Sequence, residues 1–252
     1  MRFFEEQKDD VVALMSELTD NAMGSSTNNG PDGSDIFKRN RIRFLNRYGL
    51  QAENMIMGGF VHGAEAKVVE RARYNGRVPN TDILITSERL TILAGASADC
   101  FIIFAYFPGW LNIRTPGKSV IGLAHAGWRG ITGGVVSKLI SGMKSQGADP
   151  SNLEISITPG IGDCCFTVKE DENGIKNFNS CIDFCWRDER GQYHVNLKGI
   201  LRHQLLTWGG SQKRLNSSED CTVCEKNKGK YFSWRRDRRP GHQMLSLISL
   251  RG

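Results

Sequence analysis

CFIIFAYFPGWLNIRTPGKSVIGLAHAGWRG, residues 100–130, holds two apolar runs separated by a polar connection bearing glycine and proline. The runs at 100–107 and 119–126 read as buried strands, and the segment 108–118 as the turn between them. Folding the chain back near residue 113 sets position 100 opposite 125 or 126. In the 100-with-125 register, Cys100 and His125 share one face with Cβ atoms about 5 Å apart. A slip of one residue would send them to opposite faces. A thiol and an imidazole so placed would touch or share one metal.

Working outward, ITGGVVSKLISGMKSQG at 131–147 carries Ile131, Val135, Val136, Leu139, Ile140 and Met143 at helical spacing, as a helix packed on that sheet should. Strands are expected at 54–62, 66–71, 82–86, 90–96 and 153–157, and helices at 35–48, ending at Gly49, and at 197–208. The short connections predict an α/β protein of α+β type: one domain with a mostly antiparallel sheet core and helices packed around it. The apolar spacing of Val11, Val12, Leu14, Met15 and Leu18 predicts a helix over 5–18, and the turn-rich 21–35 a flexible loop. The expected division is therefore 1–34, an N-terminal helix and loop, followed by a catalytic domain at 35–252.

The N-terminus lacks the apolar core of a secretory signal, and the longest apolar run, 100–107, is too short to span a bilayer. These features predict a soluble, cytoplasmic protein with no membrane partner. The net charge of +6 comes from scattered basic residues, dense only at 38–43 and 234–239, which favours a solvated surface or a small anionic ligand over nucleic acid. WRRDRRPGH at 234–242 reads as a solvated charged turn, although Arg235, Arg236 or His242 could hold an anion. The Lys-Ser/Thr pair of a phosphate loop is missing from GLAHAGWRG, which rejects a P-loop nucleotidase.

His62 in GGFVHG also closes an apolar stretch, so His62, Cys100 and His125 make a three-ligand zinc set with one position left for water. Asp99, beside Cys100, is a candidate for moving protons. Arg129, near a helix start, is the arginine expected to hold phosphate. The seven cysteines are expected to be reduced. Cys221 and Cys224 form a CxxC that could hold a structural zinc with a second pair, Cys181 with Cys185 or Cys164 with Cys165, but none of those has finger-type spacing, and separate buried thiols are the expectation.

VHG at 61–63, ADC at 98–100, HAGWRG at 125–130, PGIGDCC at 159–165, CT at 221–222 and FSWRRD at 232–237 together resemble the YfiH family. Its members are also labelled multicopper polyphenol oxidase or laccase-domain proteins and are described as purine nucleoside phosphorylases. The resemblance runs from about residue 35 to the C-terminus. It implies a single-domain α/β fold distantly like the deamidase domain of a cytotoxic necrotising factor, with zinc on His62, Cys100 and His125. It also implies phosphorolysis of adenosine, inosine, guanosine and methylthioadenosine, adenosine deamination, and, for bacterial members, editing of a peptidoglycan precursor. Phe60, Phe166, Thr167 and His242 depart from the family pattern of Gln, Tyr-Glu and Arg, and the usual N-terminal strand is not evident.

The leading expectation is a zinc enzyme acting on purine nucleosides and phosphate, with Cys100, His125, His62, Asp99 and Arg129 at its centre. The alternatives are a Cys100–His125 amide hydrolase and a binding protein with a vestigial site. Laccase-like copper oxidation is the weaker reading, because the chain has five histidines and no HxH pair. Copper could still occupy such a site adventitiously.

Overall fold

The computed structural model describes all residues except 5–9, 25–30, 75 and 172–173, together with the backbone alone of 31–34. In chain order the strands are β1 (Val11–Met15), β2 (Met55–Gly59), β3 (Ala66–Val68), β4 (Gly76–Pro79), β5 (Ile83–Thr86), β6 (Ile92–Ser97), β7 (Phe101–Phe107), β8 (Val120–Ala126), β9 (Glu154–Ile157), β10 (Thr167–Val168), β11 (Cys185–Arg187), β12 (Tyr193–Val195), β13 (Leu215–Ser217) and β14 (Met244–Leu250). The α-helices are α1 (Pro31–Arg47), α2 (Trp128–Thr132), α3 (Val135–Ser145), α4 (Leu197–Thr207) and α5 (Trp234–Asp237).

Two sheets, ordered β1-β14-β6-β2-β4 and β13-β9-β7-β8-β5-β3, form the centre of the single domain, with a small β10-β12-β11 sheet beside them. Pairing is antiparallel through the middle of the six-stranded sheet and parallel at its two edges. Ile102, Phe104, Ile121 and Leu123 of one sheet meet Ile56, Leu93, Ile248 and Leu250 of the other in the core between them. On the outer face of the six-stranded sheet, Phe101, Ile103 and Ala124 pack against Val135, Leu139 and Met143 of α3 and Ile200 and Leu201 of α4. Phe44 and Leu45 of α1 close the outer face of the five-stranded sheet. The domain is thus layered helix, sheet, sheet, helix.

The β7–β8 hairpin forms as expected, but in the register Phe101↔Ala126 and Ile102↔His125. That register sets Cys100 across from Gly127 rather than His125. A shift by two residues preserves the face, since side chains alternate with period 2. Cys100 and His125 therefore stay on the same side, as diagonal neighbours.

Two expectations are corrected. Val11–Met15 is not helical: it is an edge strand paired antiparallel with β14. Val11 and Ala13 face the core between the sheets while Val12 and Leu14 face α1. Burial on both faces removes the polar alternation that marks a strand and leaves an apolar run open to a helical reading. Residues 5–9 of that predicted helix and 25–30 of the expected 21–35 loop lie outside the described residues, whereas Leu18 opens a short 3-10 turn and 31–35 already belong to α1. The helix expected over 131–147 is two, α2 and α3, divided where Gly134 adopts φ +89, a conformation that suits glycine.

Candidate active site

His62, Cys100 and His125 converge: one ligand atom from each lies within 4.8 Å of the others. They arrive from three places. His125 is the penultimate residue of β8, Cys100 immediately precedes β7, and His62 sits on the loop after β2. All three lie where one end of the sandwich opens to solvent, with His125 only 3% exposed and His62 exposed.

Asp82, which the sequence reading passed over, organises two of the three. Its Oδ1 lies 2.8 Å from His125 Nδ1. It also accepts N–H bonds from His62 at 3.1 Å and Gly63 at 2.9 Å. The carboxylate is completely buried. Burial opposes its ionisation, but bonds to His125 and the amides of Gly63 and Val61 hold its pKa below the usual range. With Nδ1 facing a carboxylate, Nε2 is the nitrogen left for a metal. The amide bonds also hold His62 at φ +62, an uncommon conformation for a residue with a side chain. The signal in the sequence was an aspartate set directly before the fully apolar start of β5.

The glycines of HAGWRG now have reasons. A Cβ on Gly127 would lie 3.0 Å from both Cys100 Sγ and His62 Cδ2, and one on Gly130 would lie 2.7 Å from the carbonyl oxygen of Gly63. A side chain at either position would push the histidine loop off the cluster. Phe60 stacks on the His125 ring at 4.4 Å with planes 5° apart, in a slot that Gly58 and Gly95 leave open.

Burial raises the Cys100 pKa, but the neighbouring His125 and His62 outweigh it and draw the thiol down to about 6. Burial lowers that of His125, whereas Cys100 and Asp82 lift it to about 9. Both shifts favour a thiolate beside an imidazolium near neutral pH when no metal is bound.

Asp99 lines the cavity with both carboxylate oxygens engaged. One oxygen accepts from Thr222 Oγ1 at 2.7 Å, the other from the Arg235 backbone N–H at 2.6 Å, and its own carbonyl accepts from Ile161 N–H at 2.8 Å. It fastens three loops around Cys100. Arg129 is exposed, with its guanidinium 4.3 Å over the Trp128 ring.

The cluster lies on the wall of a cavity of about 900 Å³ that is also lined by Arg77, Arg129, Arg235, Arg238, Arg239 and His242. The 234–242 segment is therefore part of the site rather than a solvated turn. Arg236 is the exception: it caps the carbonyls of Thr222 and Tyr231 and pairs with Asp237. Phe60, Phe166, Trp128 and Trp234 supply aromatic surface to the same cavity.

The expectation of separate buried thiols fails for four cysteines. Cys164, Cys165, Cys221 and Cys224 have sulfurs within 4.8 Å of one another. Cys181 and Cys185 take no part in it.

A family described as multi-copper polyphenol oxidoreductase laccase matches residues 19–251. The chain belongs to that family. It is 34% identical to purine nucleoside phosphorylase YlmD of Geobacillus stearothermophilus, over 88% of this chain and 81% of that one. It is 29% identical to purine nucleoside phosphorylase LACC1 of Mus musculus, over 95% of this chain and 53% of that one. The crystal structure of the Geobacillus YlmD superposes with a TM-score of 0.80 at 28% identity, over 98% of this chain and 94% of that one. The Bacillus licheniformis hypothetical protein YfiH gives the same TM-score at 24% identity, over 99% and 96%, a likeness of fold. Among the described residues no helix is long and apolar enough to cross a membrane.

Proposed function

We propose that this protein is a purine nucleoside phosphorylase that also deaminates adenosine, working in the cytoplasm with zinc held by His62, Cys100 and His125. The observation that carries the reading is the placement of a three-donor, partly exposed cluster in the same cavity as five arginines and several aromatic rings. A relative 34% identical carries the phosphorylase name.

The donor set suits zinc: two imidazoles and a thiolate, with Asp82 behind one of them. When bound there, zinc would supply a Lewis acid and a water acidified toward neutrality. The chain's own residues do the rest. Arg129, Arg235, Arg238 and Arg239 balance the charge of phosphate and hold it against the ribose, where positioning and charge stabilisation govern the rate. As a phosphate oxygen bonds to C1′, the bond from C1′ to N9 breaks and its electron pair passes into the purine, which takes up a proton. Phe60, Phe166 and Trp234 give the base an apolar, stacking environment and exclude water. Phe60, Phe166 and His242, three of the departures from the family pattern, line this cavity, so they set which base is preferred.

Metal-replete protein incubated with adenosine and phosphate should release adenine and ribose 1-phosphate, with inosine as the mark of deamination. Omitting phosphate should stop adenine release and spare inosine. Failure of the zinc-loaded protein to turn over any purine nucleoside would overturn the proposal. His125→Ala should lose both zinc and turnover.

The lowered Cys100 pKa favours a second reading, a cysteine amide hydrolase with His125 as its partner. It requires metal-free protein to be active. Iodoacetamide should then trap Cys100 at a rate that is flat at neutral pH and falls as the pH drops through about 6, because only the thiolate reacts. Hydrolysis of an amide by the stripped enzyme would establish this reading, and activity restored only by zinc would exclude it.

A further inference from the structure

We propose that Cys164, Cys165, Cys221 and Cys224 bind one zinc ion as a closed tetrathiolate, a structural site separate from the His62, Cys100 and His125 cluster.

Three observations carry it. The first is distance. All four Sγ atoms lie within 4.8 Å of one another, with Cys164 to Cys224 at 3.3 Å and Cys165 to Cys224 at 3.7 Å. Tetrahedral zinc with bonds of about 2.3 Å needs sulfurs about 3.8 Å apart. The Cys164–Cys224 and Cys165–Cys224 distances lie at or somewhat below that value, so small side-chain movements complete the tetrahedron.

The second is the setting of Cys221. The Gly162 backbone N–H donates to its Sγ at 3.1 Å. A neutral thiol is a weak acceptor, whereas a metal-bound thiolate carries charge that such an outer-layer N–H group balances.

The third is the fit between the loops. The 160–165 and 221–224 segments meet through the Gly160↔Cys221 bridge, and Thr222 N–H donates to the Gly160 carbonyl at 3.0 Å. A Cβ on Gly162 would stand 3.1 Å from both Cys164 Sγ and Cys221 Cβ, so glycine is what lets the two pairs close together. Both segments are otherwise irregular backbone.

Four protein sulfurs leave no position for water or substrate, which makes the site structural. It would pin the wall bearing Ile161 and Phe166, and through Thr222 and Asp99 the start of α5. Zinc displaces the thiol protons to solvent on binding, and no oxidant is needed.

The test starts from the His62→Ala/His125→Ala variant, which disables the cavity cluster, purified anaerobically with reductant and without chelator. Elemental analysis should find one zinc per chain. Cobalt exchanged into it should show intense red-region bands and the sulfur charge-transfer absorption of a tetrathiolate. Adding Cys221→Ser and Cys224→Ser should remove that remaining ion. Should the serine variants not fold, the cobalt spectrum of the histidine variant decides alone. Should the histidine variant not fold, wild-type protein should hold two ions per chain with a sulfur-dominated shell by zinc X-ray absorption. A histidine variant that folds free of metal and alkylates at all four cysteines would overturn the proposal, as would an intact mass two hydrogens light from a Cys164–Cys224 disulfide. Zinc retained here with no nucleoside turnover in wild type would sink the phosphorylase reading and leave this one standing.

Discussion

Asp82 is the residue on which the cavity cluster depends without being one of its ligands. Its bond to His125 Nδ1 at 2.8 Å and its bonds to the 61–63 amides tie a strand ligand to a loop ligand. Asp82→Asn keeps the size but removes the charge and one acceptor, so zinc affinity should fall about 10- to 100-fold, read by competition with a chromophoric chelator. Gly127→Ala puts a methyl group 3.0 Å from Cys100 Sγ and His62 Cδ2. That variant should lose bound metal while its circular dichroism stays native. Gly95→Ala acts on the other side, because its Cβ would fall on the Phe60 ring and force it off His125. A cost of about 1–3 kcal/mol is expected in urea unfolding, relieved when Phe60→Ala is added. HAGWRG announced a crowded site through its glycines, but it could not name Asp82, because a side chain that acts through others leaves no spacing pattern of its own.

At the scale of elements, the site is held by ties between loops rather than by one motif. Asp99 joins the β6–β7 connection to Thr222 and to the start of α5. Thr222→Val deprives a buried carboxylate of one partner and should cost about 1–3 kcal/mol, with a raised KM for phosphate as Arg235 loosens. The paired strands, the helix ending at Gly49 and the buried face of α3 were all legible, because each carries a strong period or a clear stop. The face shared by Cys100 and His125 was legible too, even though the register was not: the long 108–118 loop leaves the pairing free to shift, and a shift by an even number is silent as to face. The 234–242 arginines were misjudged because a solvated charged turn and a cavity wall have the same composition.

For the whole molecule, the first fifteen residues matter more than their composition suggests. Val11–Met15 is buried along its length and covers the β14 edge. Deleting residues 1–15 should expose that edge, lower the urea midpoint sharply and promote aggregation, measured by unfolding and light scattering. A segment of 1–34 that served only as an appended helix and loop would be removable without loss. The five cavity arginines come from β4, α2 and the 235–239 segment, so phosphate affinity should fall with added salt, and more steeply in wild type than in Arg129→Ala.

The sequence by itself determined the β7–β8 hairpin, the three candidate donors and the family, because apolar periods, glycine stops and rare residue types in fixed local order survive without a fold. Tertiary structure alone decided that Asp82 stands behind the histidines, that the arginines face the cluster, that β1 is a strand and that four scattered cysteines meet. Each of those depends on which loops become neighbours when two sheets pack, and chain spacing carries no record of that.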